Sequence, residues 1–148
     1  MIQWQQKTFD ELSLHELYAI LQQRVNVFVV EQQCPYPEID GADHQAIHLW
    51  ATQGLELVAY ARIFLGTSTS GFSRIGRVLS AHSARGTGLG RELMQRAIAL
   101  CQTHSPNAPI RISAQMYLHD FYASFGFTDI SDEYLEDGIP HIDMERQP

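Results

Sequence analysis

Between residues 14 and 28 the apolar positions recur at helical spacing. Leu14, Leu17, Tyr18, Leu21, Val25 and Phe28 fall on one face. Ser13 and Glu16 form a capping box at its start, and Leu12 and Leu17 can staple across it. β-Branched residues crowd 25–30 and weaken the helical preference, so a break or a second short helix is expected there. Residues 33–44 mix prolines with carboxylates and read as a loop. Stretches 47–52 and 55–64 flank Gln53-Gly54 as a hairpin. After the polar loop 67–71, residues 72–80 form another strand. Leu89, Leu93, Ala97, Leu100 and Cys101 then line one face of a helix ending near His104. A short strand is expected at 109–114, and a helix at 116–125 closed by Gly126 as a left-handed cap. Strands at 127–130 and 141–144 end the chain. The order is β, α, β-hairpin, β, α, β, α, β, β. A mixed β-sheet flanked by helices, an α+β fold, is the natural packing for it.

Length and composition narrow this further. A chain of 148 residues without an internal repeat or linker is expected to form a single domain, 1–148, that buries about two thirds of its unfolded surface. Acidic residues outnumber basic ones 17 to 10, and the net charge of −7 argues against general nucleic-acid binding. It leaves room for a cationic acceptor. No apolar run reaches the length of a membrane span, so no membrane partner is expected. The first residues lack the layout of a signal peptide. Cys34 and Cys101 offer neither a disulfide framework nor paired metal spacing. A cytoplasmic location with reduced thiols is the expectation.

The densest chemical signal is Arg85-Gly86-Thr87-Gly88-Leu89-Gly90, between a strand and a helix. Glycines allow close backbone approach to an anion. A helix start supplies unpaired N–H groups and the positive end of a dipole. A Walker A loop would need Lys and then Ser or Thr after Gly90, where Arg91-Glu92 stands. A dinucleotide fingerprint would need Gly at position 91 and an acid about twenty residues on, and finds neither. A tight strand–helix connection without a ligand is the alternative. The remaining pattern, Arg-x-x-Gly-x-Gly at Arg85, Gly88 and Gly90, resembles the pyrophosphate loop of the GNAT acetyltransferases, which bind acetyl-coenzyme A (acetyl-CoA). That family also carries a tyrosine on the helix after the next strand, and Phe121-Tyr122-Ala123-Ser124-Phe125-Gly126-Phe127 matches it. Without the loop, Tyr122 would read as a packing aromatic beside Leu118, Phe121 and Phe125.

The resemblance spans nearly the whole chain. Arg24-Val25, Val27 through Gln32, Cys34-Pro35-Tyr36, Asp40-Gly41, Asp43, Ala59 through Arg62, Ile75 through Val78 and Glu136 through His141 are similar to the ElaA-type branch of the GNAT family. It implies the acyl-CoA N-acyltransferase fold, with a sheet that splays after the strand at 72–80. It also implies transfer of an acetyl group from acetyl-CoA to a primary amine of a small molecule or peptide, by direct attack. Pyrophosphate would lie on the amides of Gly86, Thr87, Gly88, Leu89, Gly90 and Arg91, with Arg85 and Arg91 as charge partners. Val78, Leu79 and Ser80 would offer backbone groups to the pantetheine arm. An amide near Leu79 or Ser80 would face the developing oxyanion, Gln115 would bond the cofactor, and Tyr122 would face the departing sulfur.

The strand before the glycine loop offers Arg74, Arg77 and Ser80 and no base. The acceptor site is expected from 24–43, 60–65 and 131–141, with Arg24, Glu31, Asp40, Asp43, His48 and His141 as polar anchors. His44 and His48 have ligand spacing only on a helix, and their region reads as a strand, so no metal is assigned. Cys34 reads as structural. Many GNAT proteins dimerise, which makes a homodimer one expectation. Acyl-homoserine-lactone synthases share the GNAT core and the spacing Arg24, Phe28, Glu38, Asp40, Asp43, His48, but their early Trp-rich segment is missing. A non-catalytic coenzyme A sensor is the third reading.

Overall fold

The computed structural model describes all 148 residues, Met1–Pro148. Eight strands form one sheet: β1 (Ile2–Thr8), β2 (Ile47–Gln53), β3 (Glu56–Phe64), β4 (Ser73–Ser80), β5 (Ile110–Gln115), β6 (Thr128–Asp129), β7 (Tyr134–Glu136) and β8 (Ile139–Arg146). Their spatial order is β1-β2-β3-β4-β5-β8-β6, with β7 also paired to β8. Neighbours are antiparallel except β4 and β5. Helix α1 (Leu14–Val25) joins β1 to β2, α2 (Leu89–His104) crosses from β4 to β5, and α3 (His119–Ala123) follows β5. The expected mixed sheet with flanking helices is observed. No helix is long and apolar enough to cross a membrane.

Period-two alternation assigns the two helices to opposite faces. On β2, Leu49 and Ala51 join the main core with Leu93, Met94, Ala97 and Cys101 of α2. Trp50, between them, joins Ile20 and Val27 in a smaller core with Tyr60 and Leu79. The Ser13 cap forms as expected: its side chain accepts from the Glu16 amide, and Glu16 accepts from the Ser13 amide. The β-branched run does break α1, which widens into a π-helical turn at Asn26–Glu31.

Two expectations near the C-terminus need correction. The helix expected at 116–125 is a 3-10 turn (Met116–Leu118) followed by the short α3, with Gly126 left-handed at φ +91°. The last strand does not stand alone. It begins at Ile139 and forms a hairpin with β7 through Asp137 (φ +51°) and Gly138 (φ +77°). Two successive positive φ values make the two-residue turn that an Asp-Gly pair favours, because its twist matches that of the strands. That dipeptide was the available signal for the hairpin.

The feature that makes room for a ligand lies in the middle of the sheet. β4 and β5 pair only at Ser73↔Ile110 and Arg74↔Arg111. Beyond that, β4 stays with β3 as far as Ser80, and β5 stays with β8 as far as Gln115. The sheet therefore splits. In the β3–β4 register Arg62 faces Gly76 and Tyr60 faces Leu79, so Arg77 and Val78 both stand opposite Ala61. This bulge bends the strand, with Arg77 held at φ +51°.

Leu93 lies on the buried face of α2 with no exposed surface. Leu93→Ala is expected to lower stability by about 2–5 kcal/mol, measured by urea denaturation followed by circular dichroism.

Candidate active site

A cleft of about 1150 Å³ fills the split between β4 and β5. The β4 wall presents Val78, Leu79 and Ser80, and the β5 wall presents Ile112, Ser113 and Gln115. The start of α2 closes one end, the π-turn and the 33–44 loop cover one side, and the β7–β8 hairpin borders the other.

At the α2 end the backbone is arranged for an anion. Gly86 (φ +79°) and Gly88 (φ +83°) both adopt left-handed conformations, and a Cβ on either would meet nothing within 4 Å. Their glycine requirement is therefore conformational. The first helical bond runs from the Glu92 amide to the Gly88 carbonyl at 3.2 Å. The amides of Leu89, Gly90 and Arg91 precede it and have no intrahelical acceptor. Gly90 is different: a Cβ there would come within 3.4 Å of Ser80 Oγ, so this glycine allows α2 to approach β4. Arg85 borders the loop, with Nε donating to the Ser80 carbonyl (3.1 Å) and Nη2 paired with Glu31 (2.9 Å). Arg91 lies over the Phe125 ring and donates to Ser124 Oγ. Thr87 does not line the cleft; its hydroxyl donates to the Ala84 carbonyl.

Tyr122 packs edge-on against Phe121 and Phe127 and is 6% exposed. Its hydroxyl makes no protein hydrogen bond, yet it is not among the sealed unpartnered atoms; Arg62 Nε is the one buried side-chain atom of that kind. The phenol therefore opens onto the cleft that its ring borders. Burial, and secondarily Tyr117, raise its pKa well above the usual phenol range. Gln115 exchanges amide hydrogen bonds with Gln32 across the cleft (3.2 Å and 3.4 Å).

The residues expected at the acceptor end separate into two groups. Glu31, Asp40 and His141 line the cleft. Arg24, Asp43 and His48 do not; all three are buried behind its wall. Arg24 binds Glu38 through Nε and Asp43 through Nη1, each at 2.6 Å. Arg62 grips Asp40 with two nitrogens (2.8 Å and 2.9 Å) and Asp43 with one (3.0 Å). Arg77, from the bulge, reaches Glu38 at 2.8 Å and Asp40 at 3.4 Å. The Tyr36 hydroxyl donates to Glu38. His48 donates from Nε2 to the Asp43 carbonyl and accepts from the Tyr60 hydroxyl at Nδ1. Both ring nitrogens are thus occupied, and burial depresses its pKa, so it stays neutral. Sequence reasoning missed Glu38, Arg62 and Arg77 as parts of this cluster. The spacing Glu38-x-Asp40-x-x-Asp43 carried the signal, but its arginine partners come from three other elements. Three carboxylates meet three arginines, so the acids of this loop do not leave a negative pocket.

The Acetyltransferase (GNAT) domain model matches residues 16–148. Protein ElaA of Escherichia coli is 45% identical over 149 aligned residues, covering 99% of this chain and 97% of that one. The chain belongs to the GNAT acetyltransferase family. Solved structures share the fold. The crystal structure of E. coli ElaA superposes with a TM-score of 0.93 at 44% identity, covering 99% of this chain and all of that one. An acyl-CoA N-acyltransferase from Pseudomonas aeruginosa superposes with a TM-score of 0.94 at 44% identity, covering 99% of each. A CoA-dependent acyl-homoserine lactone synthase shares the fold, with a TM-score of 0.78 at 15% identity. Within this GNAT fold the split sheet, the glycine loop and Tyr122 share one cleft.

The buried cluster has a consequence for acid stability. Hydrogen bonds from Arg62 hold the Asp40 carboxyl well below its usual range. Burial pushes Asp43 up, but bonds from Arg24 and Arg62 outweigh it and its pKa is also lowered. Groups with depressed folded pKa values stabilise fully above their unfolded value of about 3.9 and lose that stabilisation as pH falls through the folded one. Melting temperature is expected to hold down to about pH 5 and to fall steeply below about pH 4. Asp40→Asn should start less stable and show a shallower acid slope in the same thermal melts.

Proposed function

We propose that this GNAT protein transfers an acetyl group from acetyl-CoA to a primary amine of a small molecule or peptide. The observation that carries the reading is the meeting, in one cleft, of a helix start with unpartnered amides and a buried tyrosine whose hydroxyl has no protein partner. The residues fit the donor along its length. Amides at Gly86 and at 88–91 suit a pyrophosphate, with Arg85 and Arg91 beside them as cations. The β4 edge at Val78, Leu79 and Ser80 has lost its β5 partner and suits the amide-bearing arm. Gln115 stands across the cleft as a further hydrogen-bonding group.

When bound, acetyl-CoA supplies an activated thioester carbonyl for direct attack by a neutral amine. The protein's own contribution is binding, orientation and proton control. Backbone N–H groups near Leu79 and Ser80 act where negative charge develops on the carbonyl oxygen. Tyr122 Oη holds its proton toward the departing sulfur. At reference values a phenol near ~10 giving its proton to a thiol near ~8.5 is uphill by about 2 kcal/mol. Burial of Tyr122 increases that gap. Tyr122 therefore serves as a hydrogen-bond donor that keeps its proton, and solvent completes the transfer. Glu31, Asp40 and His141 are the expected polar groups around the acceptor; Arg24, Asp43 and His48 support the wall behind them.

Acetyl-CoA is expected to raise the melting temperature of the wild-type protein, and Gly88→Ala, which forces a side chain into left-handed backbone, should weaken that shift. Tyr122→Phe should keep the shift and lose about 10²–10⁴ in turnover, read as thiol release with an amine panel. Binding without turnover in the wild type would favour a sensor. Full activity in Tyr122→Phe would remove the tyrosine from the mechanism.

A further inference from the structure

The glycine-loop strand carries no base, yet amide formation must remove a proton from the attacking nitrogen. The titratable groups on the cleft wall differ in their freedom to accept it. Glu31 is paired with Arg85. Asp40 is held by Arg62 and approached by Arg77, which keeps it a weak base. Tyr36 donates to Glu38. His141 stands apart. It is 8% exposed, borders the same cleft as Tyr122, and sits opposite Gln115 in the β5–β8 register.

The ring of His141 is oriented by its own backbone. Nδ1 lies 2.7 Å from the Ile139 carbonyl oxygen. A carbonyl only accepts, so Nδ1 carries the hydrogen and the neutral ring keeps its lone pair on Nε2. No protein donor bonds Nε2, and Nε2 is not among the sealed unpartnered atoms; the residue that carries it lines the cleft. Glu136 Oε2 lies 3.5 Å from it. This carboxylate sits at the other foot of the Asp137-Gly138 turn and is placed to stabilise an imidazolium. Tyr134 stacks on the ring with centroids 6.0 Å apart, and its hydroxyl is engaged with Ser113 and Asp143. Cys34 contacts the Asp137 carbonyl and ties the hairpin to the 33–44 loop. The contrast with buried His48, both of whose nitrogens are occupied, is complete.

We infer that His141 Nε2 is the general base that takes the proton from the acceptor amine, with the Ile139 carbonyl holding the ring through Nδ1 and Glu136 as the carboxylate nearest the imidazolium that forms. The assignment rests on the acetyltransferase reading. The neutral amine lone pair forms the C–N bond and the C–S bond breaks with its electron pair on sulfur. The nitrogen, made acidic by bond formation, passes its proton to Nε2. The imidazolium then returns the proton to solvent, which supplies one to the thiolate. The groups placed beside His141 are Glu136 and Tyr134 from β7 and Gln115 from β5, with Asp137 and Cys34 bordering the same cleft.

Two measurements test this. In ¹⁵N-resolved NMR of the wild-type protein, the neutral His141 ring should show hydrogen on Nδ1 and a bare Nε2. Glu136→Gln should leave this tautomer in place, because the Ile139 carbonyl and not the carboxylate holds the ring. An Nε2–H tautomer would overturn the assignment without reference to any activity. In steady-state assays with spermidine, lysinamide and an unblocked alanyl peptide, His141→Gln should lower kcat/KM for the best acceptor by about 10²–10⁴. It should also remove the acid limb of the pH profile that imidazole protonation sets, and leave KM for acetyl-CoA unchanged. Glu136→Gln should lower kcat/KM by less than His141→Gln does and leave KM for acetyl-CoA unchanged. Retention of the limb in His141→Gln, or its loss in Glu136→Gln alone, would sink the proposal. A wild-type protein that binds acetyl-CoA and acetylates none of these amines would instead defeat the acetyltransferase reading, a result the NMR arm distinguishes from a wrong tautomer.

Discussion

Backbone N–H and C=O groups inside a protein need partners, and β4 and β5 provide each other with partners over only two residue pairs. From that point each strand keeps its outer neighbour and turns its inner edge toward an open cleft. The bulge at Arg77 and Val78 bends β4 away at this place, and α2 can follow closely because Gly90 has no side chain to strike Ser80. The cleft, the exposed strand edge and the approach of the helix start all derive from this one interruption. A ligand with its own amides suits such an edge better than water alone.

The wall of the cleft rests on the arginine–carboxylate cluster. Removing charged groups from water costs several kcal/mol each, so such clusters persist only where the pairing is close and nearly complete. Here Arg24 from α1, Arg62 from β3 and Arg77 from the bulge converge on the carboxylates of one loop. The loop has almost no regular structure of its own, so its shape comes from these bonds. The negative charge of the whole chain therefore says little about this side of the cleft, where the carboxylates of the loop are already matched.

The β7–β8 hairpin completes the opposite side by a different means. It is local, made by a two-residue turn, and it places Glu136 and His141 beside each other. One side of the cleft is thus organised by long-range charge pairing and the other by short-range turn geometry. Tyr122 lies on the short helix α3, and its ring packs edge-on against Phe121 of the same helix and Phe127 beyond it.

Much was legible in the chain alone because it depends on neighbours in sequence. Helical spacing and the Ser13–Glu16 box located α1, the β-branched run foretold its break, and glycines with a helix pattern after them marked the turn that leads into α2. The Asp137-Gly138 turn is equally local, and its dipeptide carries the signal for the β7–β8 hairpin. Burial and pairing were not legible, because they depend on residues far apart in the chain. Arg24, Asp43 and His48 have the residue types of a binding site, and only the fold shows that each spends its hydrogen-bonding capacity inside the wall. His141 has the same chemistry as His48. In His141 a carbonyl occupies one ring nitrogen and the other has no protein donor and lies 3.5 Å from Glu136, and that difference exists only once the chain has folded.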